Sequence, residues 1–396
     1  MIMKDMQPRR LDALRNKMRS VSPDLVAATS FHTHPDLIGF SANDLRQDAP
    51  HFYTRWSNPT VAALEEKLAL LEGAQAGLCF ASGMAAVSAL FLTQLRSGDH
   101  LILSEVCYGG VAELAHDILP KFGIEVSAVD TADPATVAAA VRPRTRLIHV
   151  ETPANPILKL TDIVAIAGIA KDCGAKLSVD STIATPVATR PLTLGADFVV
   201  HSLSKYLCGH GDAIGGAIVG NLAEMAEIRK EALIHHGGCL SPFAAWLILR
   251  GIETLEARMA VHERNAGILA RFLEGHPKVR KTYWPGLTSH PQHELAKRQM
   301  TNFSGMVTFS VDNGLELARR LAESVETFSY AVSLGKTKSL IFYIPSDDIV
   351  TSSFRLNSDA VARYKEWIGE GAFRVSVGLE DPARLVDELG AFLEKA

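Results

Sequence analysis

The stretch DFVVHSLSKYLCGHGDAIGGAIVG, residues 197–220, contains the pattern that determines the fold. Its first and last residues form two short apolar runs with the length of buried strands. Between these runs lie Lys205 and a glycine-rich turn. Ligands of α/β folds bind where buried strands end. The stretch therefore predicts a strand that brings a lysine to the ligand-binding edge of a sheet.

Further apolar runs precede this stretch and alternate with helical patterns such as DIVAIAGIAKDCG, residues 162–174. The runs are GLCFAS (77–82), HLILSE (100–105), VSAVD (126–130), RLIHVETP (146–153) and KLSVDST (176–182). Strands that alternate with helices form βαβ units, so we predict an α/β fold with a mostly parallel sheet covered by helices. Polar residues at the strand ends are predicted to converge: Ser104, Glu151, Asn155, Asp180, Ser202 and Lys205.

The order of the patterns predicts an arm and two domains. Residues 1–57 have no sustained period and are predicted to form an N-terminal arm that lies on another surface. Residues 58–255 form the large domain, which begins with an amphipathic helix from Thr60 to Glu72. One long helix is predicted from Pro242 to Leu273, and the runs MVTFSVD, SLIFYIP and AFRVSVGLED predict a smaller C-terminal α/β domain over 256–396.

The composition is that of an ordinary globular protein. Of 396 residues, 47% are apolar and 21% charged, and the net charge is −4. This balance indicates neither a nucleic-acid nor a membrane partner, and no apolar stretch approaches the length of a membrane helix. The five cysteines are scattered without CxxC spacing, which argues against disulfides and a metal site. We expect a cytoplasmic location.

Lys205 is the first candidate catalytic residue. Burial lowers the pKa of a lysine amine and makes it available as a nucleophile toward an aldehyde. The hydroxyls of Ser202 and Ser204 alternate with it and are suited to bind a phosphate. The alternative is an ordinary, partly exposed lysine after a strand.

Two further segments carry candidate cofactor residues. Asp180 ends a buried strand 25 residues before Lys205, where it would suit the ring nitrogen of pyridoxal 5'-phosphate (PLP). Alternatively, Asp180 is the N-cap of a helix that follows. In FASGMAAVSAL, the backbone amides of Gly83 and Met84 at a helix N-terminus suit an anion, although Ser82 is also an ordinary N-cap.

The chain resembles the Cys/Met-metabolism family of PLP enzymes in seven motifs that occur in order between Tyr53 and Asp381. They are SGMAA, EVCYGG, ETPANP, VDSTIATP, HSLSKYLCGHGD, RGIETLEARM and FRVSVGLED. That family includes cystathionine γ-synthase, cystathionine lyases, methionine γ-lyase and the homoserine-ester sulfhydrylases. The resemblance implies the PLP-dependent transferase fold type I, with PLP as the cofactor and an amino acid as the substrate.

The resemblance also implies a role for each matched residue. Lys205 binds PLP covalently and carries protons, and Asp180 and Asn155 contact the PLP ring. The phosphate is held by Gly83, Met84, Ser202 and Ser204. Tyr108 stacks on the ring and acts as an acid or base near the γ-substituent, where a core aromatic residue is the alternative.

Four more residues are assigned through the resemblance. Tyr53 and Arg55 match an element that binds the phosphate of the neighbouring subunit, which implies an active dimer and, in this family, a homotetramer of two dimers. Arg374 matches the arginine that binds the substrate α-carboxylate, with Ser333 beside it. The alternative for Arg374 is an ion pair at a sheet edge.

The reaction implied is γ-elimination, which converts a γ-substituted L-amino acid to 2-oxobutanoate, ammonia and the leaving group. The alternatives are γ-replacement on a homoserine ester and a non-catalytic PLP-binding relative. Val332 stands where cystathionine enzymes carry Glu, and Gly110 stands where methionine γ-lyases carry Cys.

A third departure lies at the predicted substrate entrance. There FYIPSDDIVTSSF, residues 342–354, replaces the family's usual sequence and is about two residues longer. Asp347 and Asp348 in this stretch are expected in a solvated turn. If they faced the pocket, they would favour a cationic leaving group such as that of canavanine.

Overall fold

A computed structural model describes residues 21–32 and 51–394 of the chain. Most of the predicted arm, residues 1–57, therefore lies outside the described residues. Its described parts contact each other, because the Phe31 amide donates to the Phe52 carbonyl and Ser30 forms an antiparallel bridge with Tyr53. Over the described ranges, no helix combines the length and the apolar character needed to cross a membrane.

The first part of the chain alternates strands and helices as the apolar runs predict. In chain order it comprises α1 (Pro59–Glu72), β1 (Ala76–Phe80), α2 (Gly83–Gln94), β2 (His100–Ser104), α3 (Gly109–Glu113), β3 (Glu125–Val129), α4 (Pro134–Ala140), β4 (Thr145–Glu151), α5 (Ile163–Cys173), β5 (Lys176–Asp180), α6 (Thr185–Ala188), β6 (Phe198–Ser202), β7 (Gly216–Gly220), α7 (Leu222–Ile228) and α8 (Pro242–Ile252). Short π and 3₁₀ turns connect several of these elements.

Seven of these strands form one sheet in the order β1-β7-β6-β5-β4-β2-β3. Strands β2 to β6 pair in parallel, while β7 runs antiparallel to both of its neighbours, β1 and β6. Ile148, Leu177 and Val199, in the middle of the sheet, are fully buried. Helices cover both faces of such a sheet, which explains why its strands have continuous apolar sequences. The predicted α/β fold with a mostly parallel sheet is confirmed.

Helix α1 begins one residue before the predicted start, and its cap explains why. The Asn58 side chain accepts hydrogen bonds from the amides of Thr60 and Val61, and Pro59 occupies the first helical position. A proline costs nothing there because that amide has no partner within a helix. The face predicted to be apolar packs inward, since Leu64 and Leu68 are fully buried.

The second part of the chain builds a smaller sheet. It comprises α9 (Leu255–Gly275), β8 (Val279–Tyr283), α10 (His293–Gln299), β9 (Met306–Val311), α11 (Gly314–Ser324), β10 (Ser329–Tyr330), β11 (Leu340–Pro345), α12 (Ser346–Ser352), α13 (Ser358–Ile368), β12 (Gly371–Ser376) and α14 (Pro382–Glu394). The strand order is β10-β11-β12-β9-β8, with β12 in the centre. Two sheets are thus present, and the domain boundary after residue 255 stays a prediction.

The single long helix predicted from Pro242 to Leu273 is wrong, because the chain breaks it between α8 and α9. Gly251 approaches the Cys208 carbonyl so closely that a β-carbon would lie 2.1 Å from its oxygen. The Arg258 guanidinium then donates to the carbonyls of Gly251 and Tyr206, both at 2.8 Å. These bonds satisfy a carbonyl that the broken helix leaves open.

Candidate active site

The carboxyl ends of β4, β5 and β6 meet at a cavity of about 370 Å³. Glu151 and Asp180 end adjacent strands as register partners, and both line this cavity. Nine of the predicted site residues line it: Gly83, Met84, Tyr108, Asn155, Asp180, Ser202, Ser204, Lys205 and Ser333. Parallel strands that end at one edge bring these distant positions together.

Ser104 does not join this group, which corrects the prediction that it converges with Lys205. Its hydroxyl forms a hydrogen bond of 2.7 Å with the Thr131 hydroxyl, which in turn bonds Thr161 at 2.8 Å. Ser104 lines a separate small cleft beside Thr131 and Thr161. This network of hydroxyl groups satisfies the hydrogen-bonding capacity of the Ser104 side chain at the end of its strand.

The Lys205 amine lies inside the cavity and is not an ordinary surface lysine. Its Nζ donates to the Ser333 hydroxyl at 2.9 Å. Burial, with smaller contributions from the positive charges of Arg374 and Lys336, lowers the pKa of Lys205 to about 8. Gly335, with a φ of +75°, lets the Ser333 loop approach this segment, because a β-carbon there would lie 2.5 Å from the Tyr206 amide. A larger fraction of Lys205 is therefore neutral near pH 8 than of a free lysine.

Asp180 is buried at the end of β5 and is not the N-cap of a helix. Its Oδ1 accepts the Thr182 amide at 2.9 Å, whereas the next helix, α6, begins only at Thr185. Burial raises the pKa of this carboxyl, and hydrogen bonds from Thr182 lower it. A buried acid that lines a cavity is suited to hold a cationic ring nitrogen.

Glu151 was recognised from the sequence only as a strand-end residue, and the structure adds two specific contacts. Its Oε2 accepts the Tyr108 amide at 2.6 Å, and its Oε1 accepts the Asn155 amide at 2.7 Å. Burial and the neighbouring Asp180 raise the pKa of Glu151 to about 8. One carboxyl group thus joins the loops that present Tyr108 and Asn155 to the cavity.

The N-terminus of α2 forms the side of the cavity that is suited to an anion. Ser82 caps the helix by accepting the Ala85 amide at 3.0 Å, so the ordinary N-cap interpretation also holds. Gly83 brings the first turn against Ser202, since a β-carbon at Gly83 would lie 3.1 Å from the Ser202 β-carbon. Free amides at a helix start bind phosphate well, and the Ser202 hydroxyl lies beside them.

Ser204 differs from Ser202 in how its hydroxyl is used. The Ser204 Oγ accepts the Gly215 amide at 3.0 Å and donates to the Gly215 carbonyl at 3.3 Å. These bonds join Ser204 to Gly215, at the end of the glycine-rich turn. The predicted phosphate contact of Ser204 therefore competes with bonds inside its own loop.

The structure excludes the alternatives for Tyr108, a core aromatic residue, and for Arg374, an ion pair at a sheet edge. Tyr108 is 52% exposed and lines the cavity, so it is not a core aromatic residue. Arg374 lies on the central strand β12 and is buried, so it is not at a sheet edge. Its guanidinium donates to the Asn155 Oδ1 at 3.1 Å and to the Ser333 carbonyl at 2.8 Å. Burial lowers the pKa of Arg374 to about 10.

Tyr53 and Arg55 do not line the cavity of their own chain. The Arg55 guanidinium lies 5.5 Å from the centre of the Tyr53 ring and donates to the Ile234 carbonyl. Arginine is well suited to phosphate because its planar group donates two parallel hydrogen bonds. Their predicted contact with the phosphate of a neighbouring subunit stays a prediction.

The stretch 342–354 contains the end of β11 and helix α12 instead of a loop. Asp347 and Asp348 are exposed in the first turn of α12, and Asp347 forms an ion pair with Lys365 at 2.7 Å. Neither lines the cavity, so the solvated interpretation holds, and the condition under which they would favour a cationic leaving group is not met in this chain. The Ser353 hydroxyl donates to Glu113 at 2.7 Å, which packs this segment on α3, directly after Tyr108.

The polar groups that line the cavity fit PLP. A lysine amine of lowered pKa, a buried carboxyl and a helix N-terminus with a nearby hydroxyl surround one space of about 370 Å³. These three features match the aldehyde, the ring nitrogen and the phosphate of this cofactor. A side chain at Gly83 would contact Ser202 tightly, so glycine at that position keeps the amides accessible to an anion.

Comparison with known proteins places these features in context. The sequence profile of the family described as Cys/Met metabolism PLP-dependent enzyme matches residues 9–394. The L-methionine gamma-lyase of Pseudomonas putida is 42% identical, over 94% of this chain and 91% of that protein. The canavanine gamma-lyase of Pseudomonas canavaninivorans is 41% identical, over 87% and 84%. The O-succinylhomoserine sulfhydrylase of Pseudomonas aeruginosa is 42% identical, over 83% and 80%.

Proposed function

Because the chain belongs to the Cys/Met metabolism PLP-dependent enzymes, we propose that it catalyses γ-elimination on a γ-substituted L-amino acid. The chain is a PLP-dependent enzyme, and its relatives catalyse γ-elimination or γ-replacement. One observation carries the proposal. A base, Lys205, and a half-exposed acid, Tyr108, line the same cavity. One group can remove a proton from one substrate atom while the other donates a proton to another.

When bound, PLP withdraws electrons from the substrate Cα and so makes its proton acidic. Lys205 removes that proton at Nζ, because its lowered pKa of about 8 leaves a large fraction of the amine neutral near that pH. The hydrogen bond to the Ser333 hydroxyl keeps Nζ directed into the cavity. Asp180 stabilises positive charge on the ring nitrogen from the end of β5.

Arg374 orients the substrate by binding its α-carboxylate. Its Nε has no hydrogen-bond partner among the described residues, although it is buried. A buried donor of this kind is costly unless an acceptor arrives. The bonds to Asn155 and Ser333 fix the plane of the guanidinium, so that the bound carboxylate directs the Cα proton toward Lys205.

Tyr108 donates a proton to the leaving group at the γ-carbon. Glu151 holds the Tyr108 backbone in place through the hydrogen bond to its amide. Once Lys205 has passed the Cα proton on and its amine is neutral again, it removes a Cβ proton, so that a carbon–carbon double bond forms as the γ-substituent leaves. Water then completes the reaction: the substrate and one water give 2-oxobutanoate, ammonia and the protonated leaving group.

Two departures from the family support a substrate other than cystathionine or methionine. Val332 is 64% exposed and offers no carboxylate for the distal amino group of cystathionine. At Gly110, a β-carbon would lie 2.9 Å from the Tyr108 ring, so a cysteine there would displace the ring from its present position. The present position of the Tyr108 ring therefore depends on glycine at position 110.

We expect the purified enzyme to release 2-oxobutanoate and ammonia from at least one γ-substituted amino acid when no thiol is added. The test panel contains methionine, homocysteine, cystathionine, canavanine and O-acyl homoserines, each with and without a thiol. Canavanine remains in the panel because one relative is a canavanine gamma-lyase, although Asp347 and Asp348 are outside the cavity. If product forms only when a thiol is added, the enzyme catalyses γ-replacement and the proposed γ-elimination is wrong. The absence of any spectral change of the cofactor with any substrate would favour a non-catalytic PLP-binding protein.

The pKa of Lys205 predicts how fast apoenzyme binds PLP covalently. Only the neutral amine attacks the aldehyde, so the rate should fall as the pH drops through about 8, the lowered pKa, and level off above it. An unperturbed lysine would titrate near its ordinary pKa of about 10.4. Stopped-flow absorbance of lysine-bound PLP measures the rate, and free Nα-acetyl-lysine is the control. A midpoint that coincides with the control would contradict the role of burial at Lys205.

We propose that the enzyme is a cytoplasmic homotetramer of two active dimers. The position of Arg55 supports this assembly, since it lies outside the cavity of its own chain and the family element it matches acts between subunits.

A further inference from the structure

The cavity contains a second lysine, Lys336, to which the family resemblance assigns no role. Its side chain crosses Gly211, because a β-carbon built on Gly211 would lie 2.5 Å from Lys336 Cε and 2.9 Å from Nζ. Gly211 has a φ of +71°, a conformation that side chains rarely adopt. Lys336 is thus held along the wall formed by Gly211, Ala213 and Ile214, all of which line the cavity.

Lys336 has no anionic partner among residues 21–32 and 51–394: no carboxylate oxygen lies within 4.0 Å of its amine. The two acids of the cavity are used elsewhere, since Glu151 accepts two backbone amides and Asp180 accepts the Thr182 amide. The charge of Lys336 also acts on Lys205, whose pKa it lowers. A half-buried cation beside another amine is unfavourable unless an anion enters the cavity.

The two anions already assigned to the site have their own binding groups. The α-carboxylate is assigned to Arg374, and the PLP phosphate to the start of α2 with Ser202. Lys336 belongs to neither set, because it lies on the wall of Gly211 and Ile214 and forms no hydrogen bond with those residues in the described parts of the chain. The part of the substrate that remains to be bound is its γ-substituent, and an anionic group at the end of that substituent would complement the charge of Lys336.

We propose that Lys336 binds a carboxylate at the end of the substrate's γ-substituent and so determines specificity. This inference rests on the proposed action on γ-substituted amino acids. It names the substrate class as amino acids whose leaving group is itself an anion, such as a dicarboxylic acid linked through one ester bond. The exposed Ile214, which lines the cavity, would then contact the carbon chain between the two ends.

Two esters test this proposal, because O-succinyl-L-homoserine carries a terminal carboxylate and O-acetyl-L-homoserine does not. The measurement is the ratio of their kcat/KM values, from release of 2-oxobutanoate by holoenzyme. A ratio cancels effects common to both esters, including a changed pKa of Lys205. We expect wild type to prefer the succinyl ester and Lys336→Gln to lower the ratio by roughly 10-fold or more. Lys336→Arg should retain most of the preference, and Lys338→Gln, at an exposed position, serves as the control.

An equal ratio in wild type and Lys336→Gln would overturn the proposal. An unchanged ratio with a raised Kd for PLP would also overturn it, and would assign Lys336 to the cofactor phosphate. If no substrate gives 2-oxobutanoate without thiol, γ-elimination fails on its own. The ratio is then measured from succinate and acetate released in the presence of a thiol, so the role of Lys336 is still tested.

Discussion

Replacement of Lys205 by Ala is expected to lower kcat by roughly 10⁴-fold, because the proposed function gives this one amine both the attachment of the cofactor and the transfer of the substrate protons. The lysine lies in the cavity with its Nζ 2.9 Å from the Ser333 hydroxyl. Turnover is measured from 2-oxobutanoate with PLP in excess. The visible absorbance of lysine-bound PLP should disappear in the same variant.

Two further variants separate chemistry from folding. Lys205→Arg keeps the positive charge but is not neutral at any working pH, so it should be as inactive as the Ala variant. A small primary amine added to Lys205→Ala should restore part of the activity, because it can replace the missing base. Lys338→Ala is the matched control at an exposed site. Activity within tenfold of wild type in Lys205→Ala would show that another group is the base.

Asp180→Asn has the second largest expected effect, a fall in kcat/KM of about 10²- to 10³-fold. The asparagine side chain is similar in size to the carboxylate. Its oxygen can still accept the hydrogen bond from the Thr182 backbone amide, which lies 2.9 Å from Asp180 Oδ1. It cannot stabilise a protonated ring nitrogen, so the cofactor withdraws electrons less strongly. The substrate is the most active member of the panel, and the absorbance spectrum reports whether PLP is still bound.

Asp347→Asn is the matched control for this substitution, since Asp347 is exposed outside the cavity. Circular dichroism should show an unchanged fold in both variants. If Asp180→Asn binds PLP normally and keeps a wild-type kcat/KM, the carboxylate has no part in catalysis. In that case the carboxylate serves only its local hydrogen bond with the Thr182 amide.

The fold was predictable where buried residues form a continuous apolar run in the sequence. Strand β7 coincides with the apolar run Gly216–Gly220, and all of its residues are buried. Strand β8 was missed because Arg280 and Lys281 interrupt it, and as an edge strand it exposes both of them. The break between α8 and α9 was missed because it depends on Arg258 and the Tyr206 carbonyl, far from each other in sequence.

The site was predictable where residues follow strand ends, and less so where side chains meet across the fold. Lys205 and Asp180 lie at successive strand ends of one sheet, so their meeting follows from its parallel strands. The two bonds of Glu151 and the approach of Lys336 to Gly211 join segments from different parts of the chain. No local pattern encodes such contacts.

The buried Arg258 links the reactive lysine to the helix that leads into the smaller sheet. Its guanidinium holds the carbonyl of Tyr206, the residue after Lys205, and that of Gly251, at the end of α8. The position of Lys205 therefore depends on a residue of the helix that leads into the smaller sheet. Under the proposed function, substitutions at position 258 are expected to change turnover although Arg258 does not line the cavity, so natural selection on this enzyme would extend beyond the residues that contact the substrate.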